Sequence, residues 1–407
     1  MKRISQLLTL LATLFALHSC IQEEPLNAEC DITGIDSLWL KDNSKVISTY
    51  DITNNAVNFN IKRKVNGQAV SRESFAPKFI LTPGARITAQ VNGVEVDGNG
   101  LTRNFDTEQR YTTHSEDGQW SKTYSVSFSY LPLPTTEWKM SFENHELETP
   151  KQRYHTWYEM DANDTSNPRR NWWSTGNPGF AICGMAQTPA DYPSCVDSAG
   201  VEGKCVKLVT RSTGSFGKRT SMPIAAGNLF IGTFNASVAA VSQAKALQAT
   251  KFGLPIVQSR PLRLEGYYKY KAGDTFTDSK LNVLAEQHDT ADIYAVVYYN
   301  RDEKDTTKVV TLDGANVLSS PRIVYLARID APVEFAGDMK DLATSDWVQF
   351  SEEFKPFGTQ EMDTDHPELY SIAVVMTSSR QGAYFKGAVG STLYVDELKV
   401  VYEKVEE

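Results

Sequence analysis

Alternating apolar and polar positions in the first third of the chain predict short β-strands. The segments 56–62, 86–91 and 124–130 alternate strictly, so each places its apolar side chains on one face. Turn signals such as Pro83-Gly84 and Asn92-Gly93 separate such segments. Short strands repeated over about 100 residues predict an immunoglobulin-like β-sandwich for residues 30–133.

The pattern changes after the proline-rich stretch Leu131-Pro132-Leu133-Pro134, where we place a domain boundary. Only 236–250, which is rich in alanine, predicts a helix. Several later segments are apolar on both faces, as buried strands of a sandwich are. The predicted strands are 264–270, 293–299, 322–327, 347–350, 370–376 and 392–400. The whole chain is therefore predicted to be all-β, with a larger jelly-roll sandwich over 135–404.

The N-terminus predicts export. A basic head, Met1-Lys2-Arg3, precedes an apolar run from Leu7 to Leu17, which predicts a secretory signal peptide over 1–19. The run is shorter than the about 20 residues that a membrane-spanning helix needs. The sequence Leu17-His18-Ser19-Cys20 resembles the bacterial lipobox, which implies that Cys20 carries the acyl anchor. An ordinary signal peptide with an incidental cysteine is the alternative.

The residues after Cys20 refine the predicted location. Residues 20–29 are a polar tether, and Ile21-Gln22-Glu23-Glu24 resembles the acidic export signal of Gram-negative surface lipoproteins. We therefore expect a protein that is lipid-anchored in the outer membrane and faces the cell exterior.

The charge and the cysteine content indicate which partners and which disulfides to expect. Lys and Arg number 41 against 50 Asp and Glu, and the net charge is −9. With no basic stripe, nucleic acid is not expected as a partner. A disulfide between Cys195 and Cys205, which flank a turn-rich segment, is predicted, although Cys183–Cys205 is equally allowed.

An aromatic cluster in the long loops of 150–200 is the candidate ligand site. Flat aromatic faces cover the C–H face of a sugar, and neighbouring polar groups orient its hydroxyls. A buried aromatic core is the competing interpretation. The predicted ligand-binding residues are Trp157, Tyr158, Arg170, Trp172, Trp173 and Asn177.

Several motifs together resemble the "putative carbohydrate metabolism domain" of gut-anaerobe lipoproteins. They include Met140-Ser141-Phe142-Glu143-Asn144, Trp172-Trp173-Ser174-Thr175-Gly176-Asn177, Ala225-Ala226-Gly227-Asn228-Leu229-Phe230, Gly266-Tyr267-Tyr268-Lys269-Tyr270 and Phe385-Lys386-Gly387-Ala388. The resemblance covers most of 136–402 and implies a role with glycans. In the same way, Phe79-Ile80-Leu81-Thr82-Pro83-Gly84 and Thr113-His114-Ser115-Glu116-Asp117-Gly118 resemble spacer repeats of anaerobe surface lipoproteins.

The ends of the second domain also resemble galactose-binding-like jelly rolls, in which the first and last strands lie together. That resemblance implies a structural Ca²⁺ shared by Glu143 and Asp396, since carboxylates are strong ligands for hard cations. Two carboxylates paired with Lys or Arg are the alternative.

These observations predict a surface lipoprotein that binds glycans for carbohydrate capture, without catalysis, in company with an outer-membrane glycan transporter complex. A glycoside hydrolase is the first alternative, because Glu159, Asp161 and Asp164 lie beside the aromatic loop. A structural or adhesive surface subunit is the second.

Replacement of the predicted acylation site tests the location. Cys20→Ala should abolish acylation and release a soluble or signal-retaining form, measured by detergent extraction. Replacing Gln22, Glu23 and Glu24 with Ala should keep the acyl anchor but reduce access to external protease. A Cys20→Ala protein that still partitions fully with membranes would show that Cys20 is not the anchor.

Overall fold

The computed structural model describes residues 26–65, 68–131, 136–161, 164–305 and 308–404. Strands hold 42% of the residues and helices 12%, which confirms the predicted all-β class of an immunoglobulin-like sandwich followed by a larger jelly roll. Contacts divide the chain into two compact units. Of the described residues, the first holds those up to Asp36 with Ala76–Leu101 and Arg110–Tyr124, and the second holds those of Ser37–Phe75, Thr102–Gln109 and from Ser125 onward.

The N-terminal third contains ten short strands and one helix among the described residues. They are β1 (Ile32–Ile35), α1 (Ser37–Asp42), β2 (Ile47–Ile52), β3 (Ala56–Ile61), β4 (Lys64–Val65), β5 (Gln68–Ala69), β6 (Phe79–Leu81), β7 (Arg86–Val91), β8 (Val94–Asp97), β9 (Gln109–His114) and β10 (Ser121–Tyr130).

Antiparallel pairing holds the first unit together. Strand β1 pairs with β6, and β7 pairs with both β8 and β9. The Asn92-Gly93 turn joins β7 to β8, and both residues have positive φ, as the predicted tight hairpin turn requires. Phe79 and Tyr111 meet edge to face with ring centroids 5.4 Å apart, which gives this unit an aromatic centre.

In the second unit, β3 pairs antiparallel with β2 and parallel with β10. All six residues of β3 are buried. Phe128 stacks on Phe59 at 4.5 Å and on Phe75 at 4.2 Å between ring centroids, and Phe105 packs on it at a tilt. Strict alternation in the sequence thus supplies a phenylalanine core here.

The C-terminal part of the second unit contains the remaining elements. In chain order they are β11 (Glu137–Met140), β12 (His145–Leu147), β13 (His155–Trp157), β14 (Glu159–Asp161), β15 (Asp164–Arg169), β16 (Trp173–Ser174), α2 (Asn177–Cys183), β17 (Ser194–Asp197), β18 (Cys205–Val209), β19 (Arg211–Ser212), α3 (Gly214–Arg219), β20 (Ile224–Ala225), β21 (Asn228–Phe234), α4 (Ala236–Ala239), α5 (Gln243–Gln248), β22 (Thr250–Phe252), β23 (Pro261–Lys271), β24 (Phe276–Thr277), β25 (Asp292–Tyr299), β26 (Leu312–Asp313), β27 (Ile323–Arg328), β28 (Val348–Glu353), β29 (Lys355–Pro356), β30 (Tyr370–Thr377), β31 (Gly387–Ala388) and β32 (Thr392–Tyr402). Short 3₁₀ turns occupy Pro189–Asp191, Met339–Thr344, Pro367–Leu369 and Gly382–Tyr384.

Two sheets form the layers of this part. Sheet I has the order β17-β18-β32-β23-β28, with β11 also paired to β32. Sheet II has the order β26-β22-β21-β30-β25-β27-β29, with β16 also paired to β21. The first strand β11 pairs antiparallel with the last strand β32, so the two ends of the jelly roll lie together, as the resemblance implied.

One large apolar core lies between the sheets. Sheet I contributes residues such as Leu264 and Val395, and sheet II contributes Ile293, Ile372 and Val374, all fully buried. The outer face of sheet II carries a second buried cluster that includes Phe230, Tyr294 and Val375. Strands β25 and β30 are therefore buried on both faces, which explains their apolar runs.

The single predicted helix over 236–250 is wrong in detail. Two short helices, α4 and α5, occupy the segment, because Ser242 begins a new helix by accepting a hydrogen bond from the Lys245 N–H at 3.2 Å. No helix in the described part of the chain is long and apolar enough to cross a bilayer. The boundary predicted at 131–135 stays a prediction, since residues 132–135 lie outside the described residues.

The predicted tryptophan platform is wrong. Trp157 and Trp172 are 2% exposed and Trp173 is 5% exposed, and all three belong to the core between the sheets. Their neighbours are other rings of the same cluster. The ring centroids of Trp138 and Trp172 are 5.7 Å apart, and those of Phe142 and Trp173 are 5.4 Å apart. The long aromatic loop supplies core volume, so none of these indoles can stack on a sugar.

Truncation of a core indole should therefore destabilise the folded protein. Trp172→Ala should lower the free energy of unfolding by about 3–5 kcal/mol, because it leaves a cavity in a packed core. Trp120, which is 63% exposed, supplies the control. Trp120→Ala should change the value by less than about 0.5 kcal/mol in the same denaturant titration. Equal effects would contradict the core assignment.

Candidate functional site

The remaining predicted ligand residues do not gather at one cavity. Arg170 lies over the Tyr158 ring at 5.4 Å and forms an ion pair with Glu146 at 2.9 Å on the surface. Asn177 is fully buried, where its amide donates to the Ser194 carbonyl at 2.8 Å and accepts from the Ser194 N–H at 3.1 Å. Asn177 therefore joins α2 to β17.

The predicted disulfide is absent from the structure. Cys195 faces Lys207 across the β17–β18 ladder, and Cys205 faces Asp197. The two cysteines are diagonal neighbours, whose Cα atoms lie about 7–8 Å apart, whereas a disulfide needs about 4.4–6.8 Å. All four described cysteines are free thiols, and burial raises the pKa of Cys195 to about 11 and that of Cys205 to about 12.

The two carboxylates of the predicted Ca²⁺ site both bind the loop between β17 and β18. Glu143 accepts the Lys204 N–H at 2.6 Å, and buried Asp396 accepts the Val201 N–H at 2.6 Å. Burial raises the pKa of Asp396 to about 6. No group of three or more His, Cys, Asp or Glu side chains is placed to hold a metal in the described residues. Ca²⁺ held by two carboxylates and backbone carbonyls stays a prediction.

A large cavity lies on the outer face of sheet II. Its volume is about 410 Å³, which is within the range of about 300–1,000 Å³ for small-molecule sites. Strands β21, β22, β25 and β30 form its floor, and helices α2, α3, α4 and α5 with the loop 314–319 form its walls. None of the ligand residues predicted from the sequence lines it.

Strand register arranges the floor in two rows. Thr377 of β30 stands opposite Asp292 of β25 and Asn228 of β21, which forms a polar row at one end of the three strands. Two residues further along, side chains return to the same face. Val375 of β30 there stands between Tyr294 and Phe230, which forms an aromatic row beside the polar one.

Asp292 is the charged centre of the polar row. Its carboxylate is 3% exposed and accepts two hydrogen bonds from Arg328, at 2.8 Å from Nε and 2.7 Å from Nη2. The Nη2 atom of Arg380 lies 3.6 Å from Oδ1 of the same carboxylate. The Arg380 guanidinium also donates hydrogen bonds to the carbonyls of Ile329 and Asp330. Burial raises the pKa of Asp292, and the two guanidinium groups oppose that effect. The bidentate pair fixes the carboxylate in place.

Other polar side chains in the floor already form some of the hydrogen bonds that they can make. Asn228 accepts the Gly176 N–H at 2.8 Å and donates to the Ala226 carbonyl at 3.1 Å. Thr377 donates to the Ser379 carbonyl at 3.3 Å. The buried Nε–H of Arg380 has no hydrogen-bond partner in the described part of the chain.

The cavity opens beside exposed apolar side chains. Ile182, Phe216 and Tyr384 all line it, and they are 48%, 41% and 53% exposed. Exposed aromatic side chains at the mouth of a concave, mostly apolar site are typical of ligand binding.

Asp292 is the only carboxylate among the described residues that line the cavity. Hydrolysis of a glycosidic bond usually needs two carboxylates flanking the scissile bond. Each oxygen of Asp292 accepts one hydrogen bond from Arg328 and keeps a second lone pair for a further donor.

Glu159, the hydrolase candidate, lies elsewhere. It does not line the cavity, and it accepts a hydrogen bond from the Trp173 indole at 2.6 Å beside the core. Burial raises its pKa to about 7, although the Trp173 hydrogen bond and the charge of Arg169 act in the opposite direction. The side chains of Asp161 and Asp164 lie outside the described residues.

These features define a class of protein, an all-β sandwich with a large cavity on the outer face of one sheet. The model for the family described as "Putative carbohydrate metabolism domain" matches residues 141–401, and the chain belongs to that family. None of the curated proteins matches the chain.

Two solved structures are similar to the chain. Each is described as a "putative glycoside hydrolase". The protein from Bacteroides thetaiotaomicron is 37% identical with a TM-score of 0.74, and the match covers 94% of this chain and 100% of that one. The protein from Bacteroides vulgatus is 33% identical with a TM-score of 0.55, and the match covers 65% of this chain and 98% of that one.

The pKa of Glu159 predicts a pH dependence of stability. Between its ordinary value of 4.5 and about 7, the folded protein keeps a proton that the unfolded chain releases. The free energy of unfolding therefore falls as pH rises through that window. Glu159→Gln keeps the acceptor for Trp173 and removes the charge, so it should stabilise the protein by up to about 3 kcal/mol at pH 8 and little at pH 4.5.

Denaturant titrations at the two pH values measure this difference. Glu303→Gln, at a carboxylate that is 84% exposed, is the matched control and should show less than about 0.5 kcal/mol at either pH. A Glu159→Gln effect that is equal at both pH values would show that its charge is not the cause.

Proposed function

We propose that this protein is an outer-membrane surface lipoprotein that binds glycans for carbohydrate capture or utilisation, without catalysis of its own. The observation that carries the proposal is the pair of floor rows, in which Asp292, Thr377 and Asn228 lie beside Tyr294, Val375 and Phe230. Membership of a family described by carbohydrate metabolism supports the choice of ligand.

The two rows match the two chemistries of a sugar ring. Tyr294 and Phe230 line the floor, and the small part of each ring that reaches the cavity is apolar and can contact the C–H face of the ring. Asp292, Asn228 and Thr377 line the same floor and supply polar groups for hydroxyl groups. Because the Arg328 pair fixes Asp292, little further ordering is needed when a ligand binds.

The proposed location rests on the chain before residue 26. The lipobox resemblance at Cys20 and the acidic residues Glu23 and Glu24 support an anchor that faces the exterior. All of these residues lie outside the described residues. An anchored glycan binder would act beside an outer-membrane transporter, to which it would pass captured oligosaccharides.

A glycoside hydrolase is the second candidate, because both solved relatives carry that description. The lining of the cavity favours binding over hydrolysis, since Asp292 is its only carboxylate among the described residues. Turnover of bound oligosaccharides is therefore the property that separates the two candidates.

A rim variant tests glycan binding at the cavity. Tyr384→Ala should weaken retention of bound glycans by on the order of 1 kcal/mol, because it removes a stacking ring at the mouth, and it should leave the melting temperature unchanged. Trp120→Ala removes another exposed ring that does not line the cavity and is the control. A glycan array identifies the ligand, and an affinity gel then compares the variants.

Two results would contradict the proposal. Equal retention by Tyr384→Ala and the unchanged protein would place the glycan elsewhere. Release of reducing ends from the bound oligosaccharide, abolished by Asp292→Asn, would show that the protein is a hydrolase.

A further inference from the structure

The cavity has a second side whose chemistry differs from the floor rows. Helices α2 to α5 and the loop 314–319 line it with apolar side chains. Those that carry the argument are Phe180, Phe216, Ala240, Ala246, Leu247 and Val317. We call this surface the helix side.

Polar groups on the helix side are already occupied for the most part. The Thr213 hydroxyl donates to the Met222 carbonyl at 2.7 Å, and the Thr220 hydroxyl donates to the Phe216 and Gly217 carbonyls at 3.3 and 3.2 Å. Burial raises the pKa of the Cys183 thiol, which keeps it neutral. Thr250 and Ser319 are the remaining serine and threonine side chains of the lining outside the polar row and the loop 379–385.

This surface is poorly suited to a second sugar ring. A saccharide carries hydroxyl groups around its whole perimeter, and each one that is buried without a partner costs roughly tenfold or more in affinity. The polar row can serve the hydroxyls of one ring. A chain of several sugars in the cavity would bury many hydroxyls against Phe180, Leu247 and Val317.

We propose that the occupant is a glycoside with an apolar aglycone, such as a glycolipid or an aryl glycoside. Its sugar would lie on the two floor rows, and its aglycone would pack against the helix side. The proposal rests on the proposed function and names the substrate class for the same site.

The residues at the mouth of the cavity favour an amphiphilic ligand. Ile182, Phe216 and Tyr384 expose apolar surface where the cavity meets solvent. Such a rim contacts a hydrocarbon or aromatic group during entry, whereas a fully hydroxylated oligosaccharide gains less from it. Each methylene that is fully buried would strengthen binding about fourfold.

Matched ligands separate the aglycone from the sugar. The probes are the n-octyl and methyl β-D-glucosides, galactosides and mannosides, together with 1-octanol, all below micelle-forming concentrations. Their affinities are measured on the purified full chain by calorimetry and by displacement of the apolar dye N-phenyl-1-naphthylamine. At least one octyl glycoside should bind about tenfold or more tightly than its methyl counterpart and than 1-octanol.

A variant on α5 tests whether the ligand binds in the cavity. Ala246 lines the cavity, whereas Gln248 on the same helix is exposed and lines neither the cavity nor the pocket beside it. Ala246→Trp fills the helix side and should weaken octyl glycoside binding about tenfold, while Gln248→Trp should leave it within about twofold. Circular dichroism checks both folds, and the ligand comparison on the unchanged protein stands without either variant.

Each of the other possible results would refute a specific part of the proposal. Equal affinity of methyl and octyl glycosides would refute the aglycone and leave glycan binding intact. Equal affinity of 1-octanol and every octyl glycoside would refute carbohydrate binding at this cavity, and with it the proposed function. Tight octyl glycoside binding that Ala246→Trp leaves unchanged would refute the cavity as the site, and no binding by any probe would refute both proposals.

Discussion

Burial of sheet II on both faces is the constraint on which the jelly roll and its cavity depend. Strand β25 sends Ile293, Ala295 and Val297 into the core between the sheets and Tyr294 and Val296 to the outer face. A strand that is apolar on both faces must be covered on both faces. The short helices α2 to α5 supply that cover, and the space between them and the sheet is the cavity.

The polar row is compatible with this burial because its charges are paired. An isolated carboxylate at 3% exposure would lose its hydration and become protonated, but Asp292 gains two short hydrogen bonds from Arg328. Removing Arg328 takes away both of these hydrogen bonds and leaves Arg380, 3.6 Å away, as a weaker cationic partner of Asp292. The same pairing holds one oxygen-rich surface inside an otherwise apolar cavity, which is what sugar recognition requires.

Strand positions could be predicted from the sequence because alternation and two-sided burial are local patterns. The segments 264–270, 293–299 and 370–376 all fall within observed strands. The site could not be predicted, since Asn228, Asp292 and Thr377 meet only through strand order and register. The aromatic loop misled for a related reason, because an indole in a sugar platform and an indole in a core look alike in a linear pattern. Trp172 is distinguished only by the rings that surround it.

The helices that cover sheet II depend on the sheet more than on their own sequences. They span four to seven residues, whereas an isolated helix needs about 12–15 residues to be even marginally stable in water. Asn235 and Ser242 cap α4 and α5, but each cap contributes only about 1 kcal/mol. Packing against the outer face must supply the rest, and this packing is interrupted where the cavity lies. A ligand that fills the cavity would complete it, so binding and the ordering of α2 to α5 should be thermodynamically linked.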